Sequence, residues 1–463
     1  MSHESLEDLL GTVDSPVDLL RNSQTGPNAY PGVPAEFTNW RDEQRAWQTT
    51  CVLFDQSFHM NDLLVRGPDA LKLLSRLAVN SFESFDPGRA KHFVSCSPDG
   101  YVIGDVILFA RGESEFNLVG RAPALNWLTY HAETGGYDVA LELDVRTALR
   151  ADGRRRSYRF QLQGPAAMDL TEAVLGQAAP DLRFFHRTAV TIAGKSVGAL
   201  RHGMVGQPGW ELHGPWEDRD AVLEAILAAG DEFGLRQAGG RAYSSNTVES
   251  GWIPSPLPAI YSGETLTAYR EWLPANGYEG AASIGGSFDS GRIEDYYFTP
   301  WDLGYGSYVK FDHDFVGREA LERMAEDDHR RKVTLALDDD DVTRTIGTIF
   351  GTGERAKFMD WPSAVYSMHP YDKVIGDGET VGISTWIAYT ANEGKMLTLA
   401  VVDAAFAEPG TEVTFVWGEE AGGTAKPTVE PHVQTEIAAV VSPVPYVQAA
   451  RTSYAPGGWR AHA

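Results

Sequence analysis

The chain has 463 residues, 39 Lys and Arg against 64 Asp and Glu, a formal net charge of -25, and 43% hydrophobic residues. That balance fits a globular protein of roughly two to four compact units. It disfavours a nucleic-acid binder, which needs a basic stripe to displace counterions, and the one dense basic run, Arg154-Arg155-Arg156, reads as a hairpin tip. The N-terminal MSHESLEDLL carries acids where a signal peptide needs positive charge, and no run of about 18 apolar residues occurs. A cytoplasmic protein with no membrane partner is expected, either a monomer or a weak homodimer. The two cysteines, Cys51 and Cys96, lack ligand or CxxC spacing and read as buried thiols in a reducing compartment.

In chain order, Leu63 to Val79 (LLVRGPDALKLLSRLAV) reads as a strand, a Gly67-Pro68 turn and a helix with Leu71, Leu74 and Leu77 on one face. The segment Phe93 to Phe109 alternates around Pro98-Asp99-Gly100, a hairpin signal. Arg159 to Gly176 (RFQLQGPAAMDLTEAVLG) repeats strand, Gly164-Pro165 and helix, and AVLEAILAAG predicts a helix capped at Gly230. Asp314 to Met324 supplies another helix start. Beyond about residue 330, short strand candidates separated by Gly and Asp turns predict an all-β domain, with a boundary near Asp338 to Asp341. The expected organisation is therefore α+β: a first, discontinuous unit from 1–150 and 241–330, a second from 151–240, and a β-domain from 331–463.

The common catalytic motifs are missing. GMVGQPG (Gly203 to Gly209) lacks the helix and distal acid of a dinucleotide site, and there is no P-loop, HExxH or GxSxG. His59, His92, His131, His186 and His202 are scattered, so no metal is expected. What remains is a set of polar groups on apolar strands: Asp55 and His59, Asp105 in VIGDVI, Arg121 after FNLVG, and Glu211 in WEL. A carboxylate in such a run needs a partner, either a structural ion pair or a ligand. The stretch RAYSSNTVESGWIPSPLPAIYSG, Arg241 to Gly263, has neither helical nor strand period and reads as an irregular pocket lining.

Phe54-Asp55 with His59-Met60, GYVIGDVILF, GMVGQPGWE and TPWDLGYGSYVKFDHDFVGREAL resemble the aminomethyltransferase, or T-protein, superfamily of folate-dependent one-carbon enzymes. Within it, NAYPGVPAEFTNWR, VGRAPALNWLTYHAETGGY and the Arg241 to Gly263 stretch look like the tetrahydrofolate-dependent aryl-methyl-ether O-demethylases of the vanillate and 3-O-methylgallate type. The resemblance covers nearly the whole chain. It implies a three-domain ring around a central folate cavity, with a C-terminal barrel or jelly-roll domain.

The resemblance also implies roles. Glu211 would hydrogen-bond the pterin edge, and Asp105, Trp252 and Tyr305 would help hold tetrahydrofolate. Arg121 would pair with the carboxylate of a methoxylated aromatic acid, with Tyr30 and His59 on its ring hydroxyl or carboxylate. Tyr243 would protonate the ether oxygen, directly or through a relay with His59. Gly104-Asp105 stands where the T-protein pattern has two acids, Gln207 replaces its Glu, and Arg121 replaces a small polar residue. Those departures point away from glycine cleavage and toward an anionic substrate. The competing readings are another folate-dependent aminomethyl or methyl transfer, and a non-catalytic folate-binding protein.

Overall fold

The computed structural model describes residues 4–454 except Ser84 and Ser255. Its helices are α1 (Leu6–Leu10), α2 (Pro16–Asn22), α3 (Trp40–Thr49), α4 (Ala70–Leu77), α5 (Ala122–Thr134), α6 (Ala167–Leu175), α7 (Arg219–Gly230), α8 (Gly240–Ser250), α9 (Thr267–Trp272), α10 (Arg318–Met324) and α11 (Asp339–Gly347).

One antiparallel sheet has the order β3-β4-β5-β2-β6, from β2 (Asn61–Arg66), β3 (Ala90–Cys96), β4 (Val102–Gly112), β5 (Glu115–Gly120) and β6 (Ala140–Asp144). A second sheet, β11-β1-β7-β10-β9-β8, combines β1 (Cys51–Asp55), β7 (Ser157–Gln163), β8 (Arg187–Ile192), β9 (Lys195–Leu200), β10 (Gly209–Pro215) and β11 (Leu235–Gln237). Helices α4 and α5 pack together beside the first sheet, and α6 and α7 beside the second. A closed antiparallel barrel follows: β13 (Arg331–Leu337), β15 (Asp372–Gly376), β16 (Glu379–Thr390), β17 (Lys395–Val402), β18 (Glu412–Trp417) and β19 (Thr435–Ser442). A short parallel pair, β12 (Ile284–Gly285) with β14 (His369–Pro370), ties the segment before the barrel to it. The fold is thus α+β with a C-terminal barrel.

The repeated Gly-Pro turns have one steric cause. Gly67 and Gly164 sit at φ 139 and 136, and a Cβ there would lie 2.3 Å from the Asp138 carbonyl oxygen and 2.4 Å from that of Thr50. Only glycine lets the strand turn so close to neighbouring backbone, and the following proline stands just before the helix N-cap, Asp69 for α4 and Ala166 for α6.

Several sequence expectations change in detail. Helix α4 buries Leu74 and Leu77 as expected, with Ala70 and Leu73, whereas Leu71 is 38% exposed and lies off the buried face. Gly230 ends α7 in right-handed conformation, and the chain continues through a 3-10 turn to a left-handed Gly234. Gly230 is small because a Cβ would lie 2.4 Å from the Leu235 side chain. The acidic Asp338–Asp341 stretch is no interdomain linker. It opens α11 inside the barrel sequence, with Asp338 capping the Asp340 and Asp341 amides and the acids favourably placed at the helix N-terminus.

The largest correction concerns Arg241 to Gly263: its first ten residues belong to α8. The helical period is hidden because α8 buries polar groups. Glu249 receives the Trp47 indole at 2.7 Å and the Asn392 amide at 2.9 Å, and Ser245 receives Gln44 at 2.7 Å. The Trp386 indole of the barrel donates to the Ser244 carbonyl at 3.0 Å. Gly251, at φ 74, ends the helix and turns the chain toward Trp252.

Candidate active site

A cavity of about 420 Å³ opens between the two sheets, the arm before α3, and α8 with its following loop. Tyr30, His59, Asp105, Arg121, Glu211, Tyr243, Trp252 and Tyr305 all line it. Asp55 does not: its carboxylate is engaged by Arg219 and the Ser57 amide.

Tyr243 projects from the first turn of α8 toward the loop between β1 and β2. Its hydroxyl lies 3.1 Å from His59 Nε2, and the Gln56 amide donates to it at 3.3 Å. Tyr30, on the irregular arm between α2 and α3, completes an aromatic cluster, its ring centroid 4.6 Å from Tyr243 and 5.2 Å from His59. Burial pushes the Tyr243 phenol well up, with Tyr30 adding to the rise and Arg121 opposing it. Its phenol is therefore a weaker acid in this cavity than a phenol in water. Burial, followed by Arg121 and Arg146, drives His59 down to about 3, so its imidazole is neutral at physiological pH.

Arg121 is the N-cap residue of α5, placed by the turn from β5 into the helix. Its Nη1 is buried and has no hydrogen-bond partner, and among the described residues the guanidinium has no ion pair. The carboxylates of Glu249 and Asp105 are engaged elsewhere. Glu249 is held by Trp47, Gln48, Thr390 and Asn392, and Asp105 by other donors.

Asp105 Oδ2 collects His92 Nε2 at 2.6 Å, the Tyr305 hydroxyl at 3.1 Å and the Trp252 indole at 3.3 Å. Burial raises its carboxyl, but the hydrogen bond and charge of His92, with Trp252 and Tyr305, bring it below the usual range. His92 is opposite Ile107 and Val94 opposite Asp105, so His92 and Asp105 are diagonal neighbours on one sheet face. Trp252 is 39% exposed, at the cavity mouth. Glu211, only 4% exposed, is held by Arg159 from the adjacent strand β7, with His202 Nδ1 at 3.6 Å. Asp105 and Glu211 are therefore both partnered within the protein and both line the cavity. Gln56, His92 and Arg159 were missed in the sequence. The alternation of HFVSC against VIGDVIL was the one signal able to pair His92 with Asp105.

By the resemblance, Gly104 stands where the T-protein pattern has its first acid. A Cβ there would lie 3.1 Å from the Ala124 amide nitrogen and 3.2 Å from its methyl, so a carboxylate at this point requires α5 to move.

The GCVT N-terminal domain model matches residues 22–255. Syringate O-demethylase from Sphingobium sp. (strain NBRC 103272 / SYK-6) is 59% identical over 457 residues, 99% of each chain. The chain belongs to the GCVT family. Within it, the chain is a tetrahydrofolate-dependent O-demethylase, a methyltransferase. Sesamin methylene transferase from Sinomonas sp. (strain No.22) is 32% identical over 369 residues, 76% of this chain and 78% of that one. The crystal structure of glycine cleavage system aminomethyltransferase T from Bartonella henselae is 19% identical and superposes with a TM-score of 0.60, covering 92% of this chain and 95% of that one, a shared fold.

The cavity's donor set fits the family's cofactor. Two carboxylates in its wall, Glu211 and Asp105, are acceptors of the kind that the paired N–H groups of a pterin require. Among the described residues no group of three His, Cys, Asp or Glu is placed to hold a metal ion, and no helix is long and apolar enough to cross a membrane.

Proposed function

We propose that the enzyme transfers the methyl group of a methoxy-substituted aromatic acid to N5 of tetrahydrofolate, giving the phenol and 5-methyltetrahydrofolate. The observation that carries this reading is the unpaired Arg121 guanidinium sharing one cavity with the Tyr243–His59 pair. A half-buried guanidinium without an ion pair calls for an anion, and a carboxylate matches its planar donors in two parallel hydrogen bonds. The syringate named in the 59% identical relative makes that acid the first candidate, ahead of vanillate and 3-O-methylgallate.

Glu211 and Asp105 would hold the pterin, with Trp252 and Tyr305 at its flank. Tetrahydrofolate, when bound, supplies N5 as the methyl acceptor. Tyr243 then addresses the poor leaving group by donating its O–H to the ether oxygen as phenolate charge develops there. His59, held neutral, in its Nε2–H tautomer donates to the Tyr243 oxygen beside the Gln56 amide, so two donors stabilise the tyrosine oxygen as its proton leaves. This support, rather than a low intrinsic pKa, makes the buried phenol usable as an acid. Arg121 fixes the ring by its carboxylate so that the methoxy carbon meets the acceptor in line.

The test is anaerobic turnover with tetrahydrofolate and a panel of syringate, vanillate, 3-O-methylgallate and sarcosine, read by mass spectrometry. The expected result is 5-methyltetrahydrofolate and a new phenol from the methoxylated acids. Their ranking would be set by pocket contacts that discriminate a second methoxy group by about 1–3 kcal/mol. Product from sarcosine alone, or none from any acid, contradicts the proposal.

A further inference from the structure

We infer that Arg146 is a positioning arginine, which adds its charge to that of Arg121 at the acid-binding end of the cavity and fastens the arm carrying Tyr30. This rests on the proposed aromatic-acid substrate. Residues 23–39 of the arm contain no helix or strand, yet they place Tyr30 against His59 and Tyr243. Arg146 Nη2 donates to the Ala29 carbonyl at 3.0 Å, one residue before Tyr30. Its backbone amide donates to Asn61 Oδ1 at 2.7 Å, and the next amide, of Thr147, donates to the Phe58 carbonyl at 2.9 Å. One residue pair thus stitches the arm to the loop bearing His59.

The charge of Arg146 is not used by that stitching. Its Nε is buried without a hydrogen-bond partner, and among the described residues it has no ion pair, as for Arg121. The nearby acids serve other arginines. Asp144 is engaged by Arg150 and Arg155, and Asp62 by Arg155 at 2.7 Å and by Arg159. Burial, then the field of Arg121, lowers the proton affinity of Arg146, and Tyr30 and Tyr278 oppose that loss. Two guanidiniums left without counter-ions at one site are mutually repulsive, and a bound carboxylate relieves both. Arg146 does not line the cavity, so it acts through its field and through the arm.

The experiment compares binding of 4-hydroxybenzoate and its neutral isostere 4-hydroxybenzamide by calorimetry, with tetrahydrofolate present, for the wild type, Arg146→Gln, Arg146→Lys and Arg121→Ala. In Arg146→Gln the preference for benzoate over benzamide should fall about five- to tenfold, the effect of one nearby charge in a partly screened site. Arg146→Lys, which keeps charge and stem, should hold the preference within about twofold. An unchanged ratio in Arg146→Gln overturns the inference, as does equal weakening of both ligands, the mark of a purely structural brace. If Arg146→Gln does not fold, the lysine variant decides, and loss of the preference there counts against the charge role. Arg121→Ala separates the two levels. If it abolishes the preference while Arg146→Gln keeps it, only Arg146 is reassigned. A wild type without any preference for the carboxylate removes the substrate reading, and this inference with it.

Discussion

Replacing Tyr243 by Phe removes one oxygen from the centre of the cavity and little else. The ring contacts to Tyr30, His59 and Phe54, at centroid distances of 4.6, 5.0 and 5.6 Å, are available to phenylalanine. The lost interactions are two hydrogen bonds, at 3.1 Å with His59 and 3.3 Å from Gln56, each worth about 1 kcal/mol net and offset by no longer burying a hydroxyl. The melting temperature should therefore move by only a few degrees. Turnover should fall by about 10²–10⁴, the usual worth of a positioned acid, or about 3–5 kcal/mol of barrier. Steady-state demethylation of syringate, with tetrahydrofolate binding measured separately, reads both effects. Turnover within about threefold of wild type, in a folded protein that binds folate, would refute Tyr243 as the donor.

Three further outcomes are expected. Arg121→Ala should raise KM for the aromatic acid by about 10² with a smaller effect on kcat, since it removes the one bidentate partner; an unchanged KM would return Arg121 to a structural role. Glu211→Gln should weaken tetrahydrofolate binding by about 10- to 100-fold in calorimetry, because the amide presents one acceptor where the carboxylate presents two. Glu279, buried and hydrogen-bonded by Asn126, is pushed up to about 7 by burial, against an unfolded value of 4.5. The folded state keeps a proton that the unfolded chain releases, so this contribution is full below pH 4.5 and is lost as pH rises through 7. Urea midpoints measured across that window should fall less steeply with pH in Glu279→Gln than in wild type, and parallel slopes would contradict the assignment.

The parts of the fold legible in the sequence were those with a backbone cause. Gly67-Pro68 and Gly164-Pro165 announced two equivalent strand-to-helix turns because no other residue fits there, and the Pro98-Asp99-Gly100 turn announced the β3–β4 hairpin. Helix α8 was not legible, because periodicity reports apolar burial and this helix buries Ser245, Asn246, Thr247 and Glu249, with Ser245 hydrogen-bonded to α3 and Glu249 to α3 and the barrel. Similarly, Tyr30, His59, Arg121, Glu211 and Tyr243 were nameable through resemblance, and the structure brings them to one cavity. Their electrostatic state was not readable. A neutral His59 follows from burial and from arginines more than 60 residues away in sequence, and an elevated Tyr243 from burial that outweighs the opposing charge of Arg121. Arg146 carried no motif at all, since its relation to Tyr30 is made by a side chain reaching a backbone carbonyl.

The central claim is transfer of an intact methyl group from the aryl ether to folate, and the most direct measurement follows that group. Syringate labelled with deuterium in its methoxy carbons would be incubated with the enzyme and unlabelled tetrahydrofolate, and the folate products weighed by mass spectrometry. All three deuterons should arrive together on 5-methyltetrahydrofolate, matched mole for mole by the demethylated phenol. Phenol without labelled folate, or folate carrying fewer than three deuterons, would contradict direct methyl transfer.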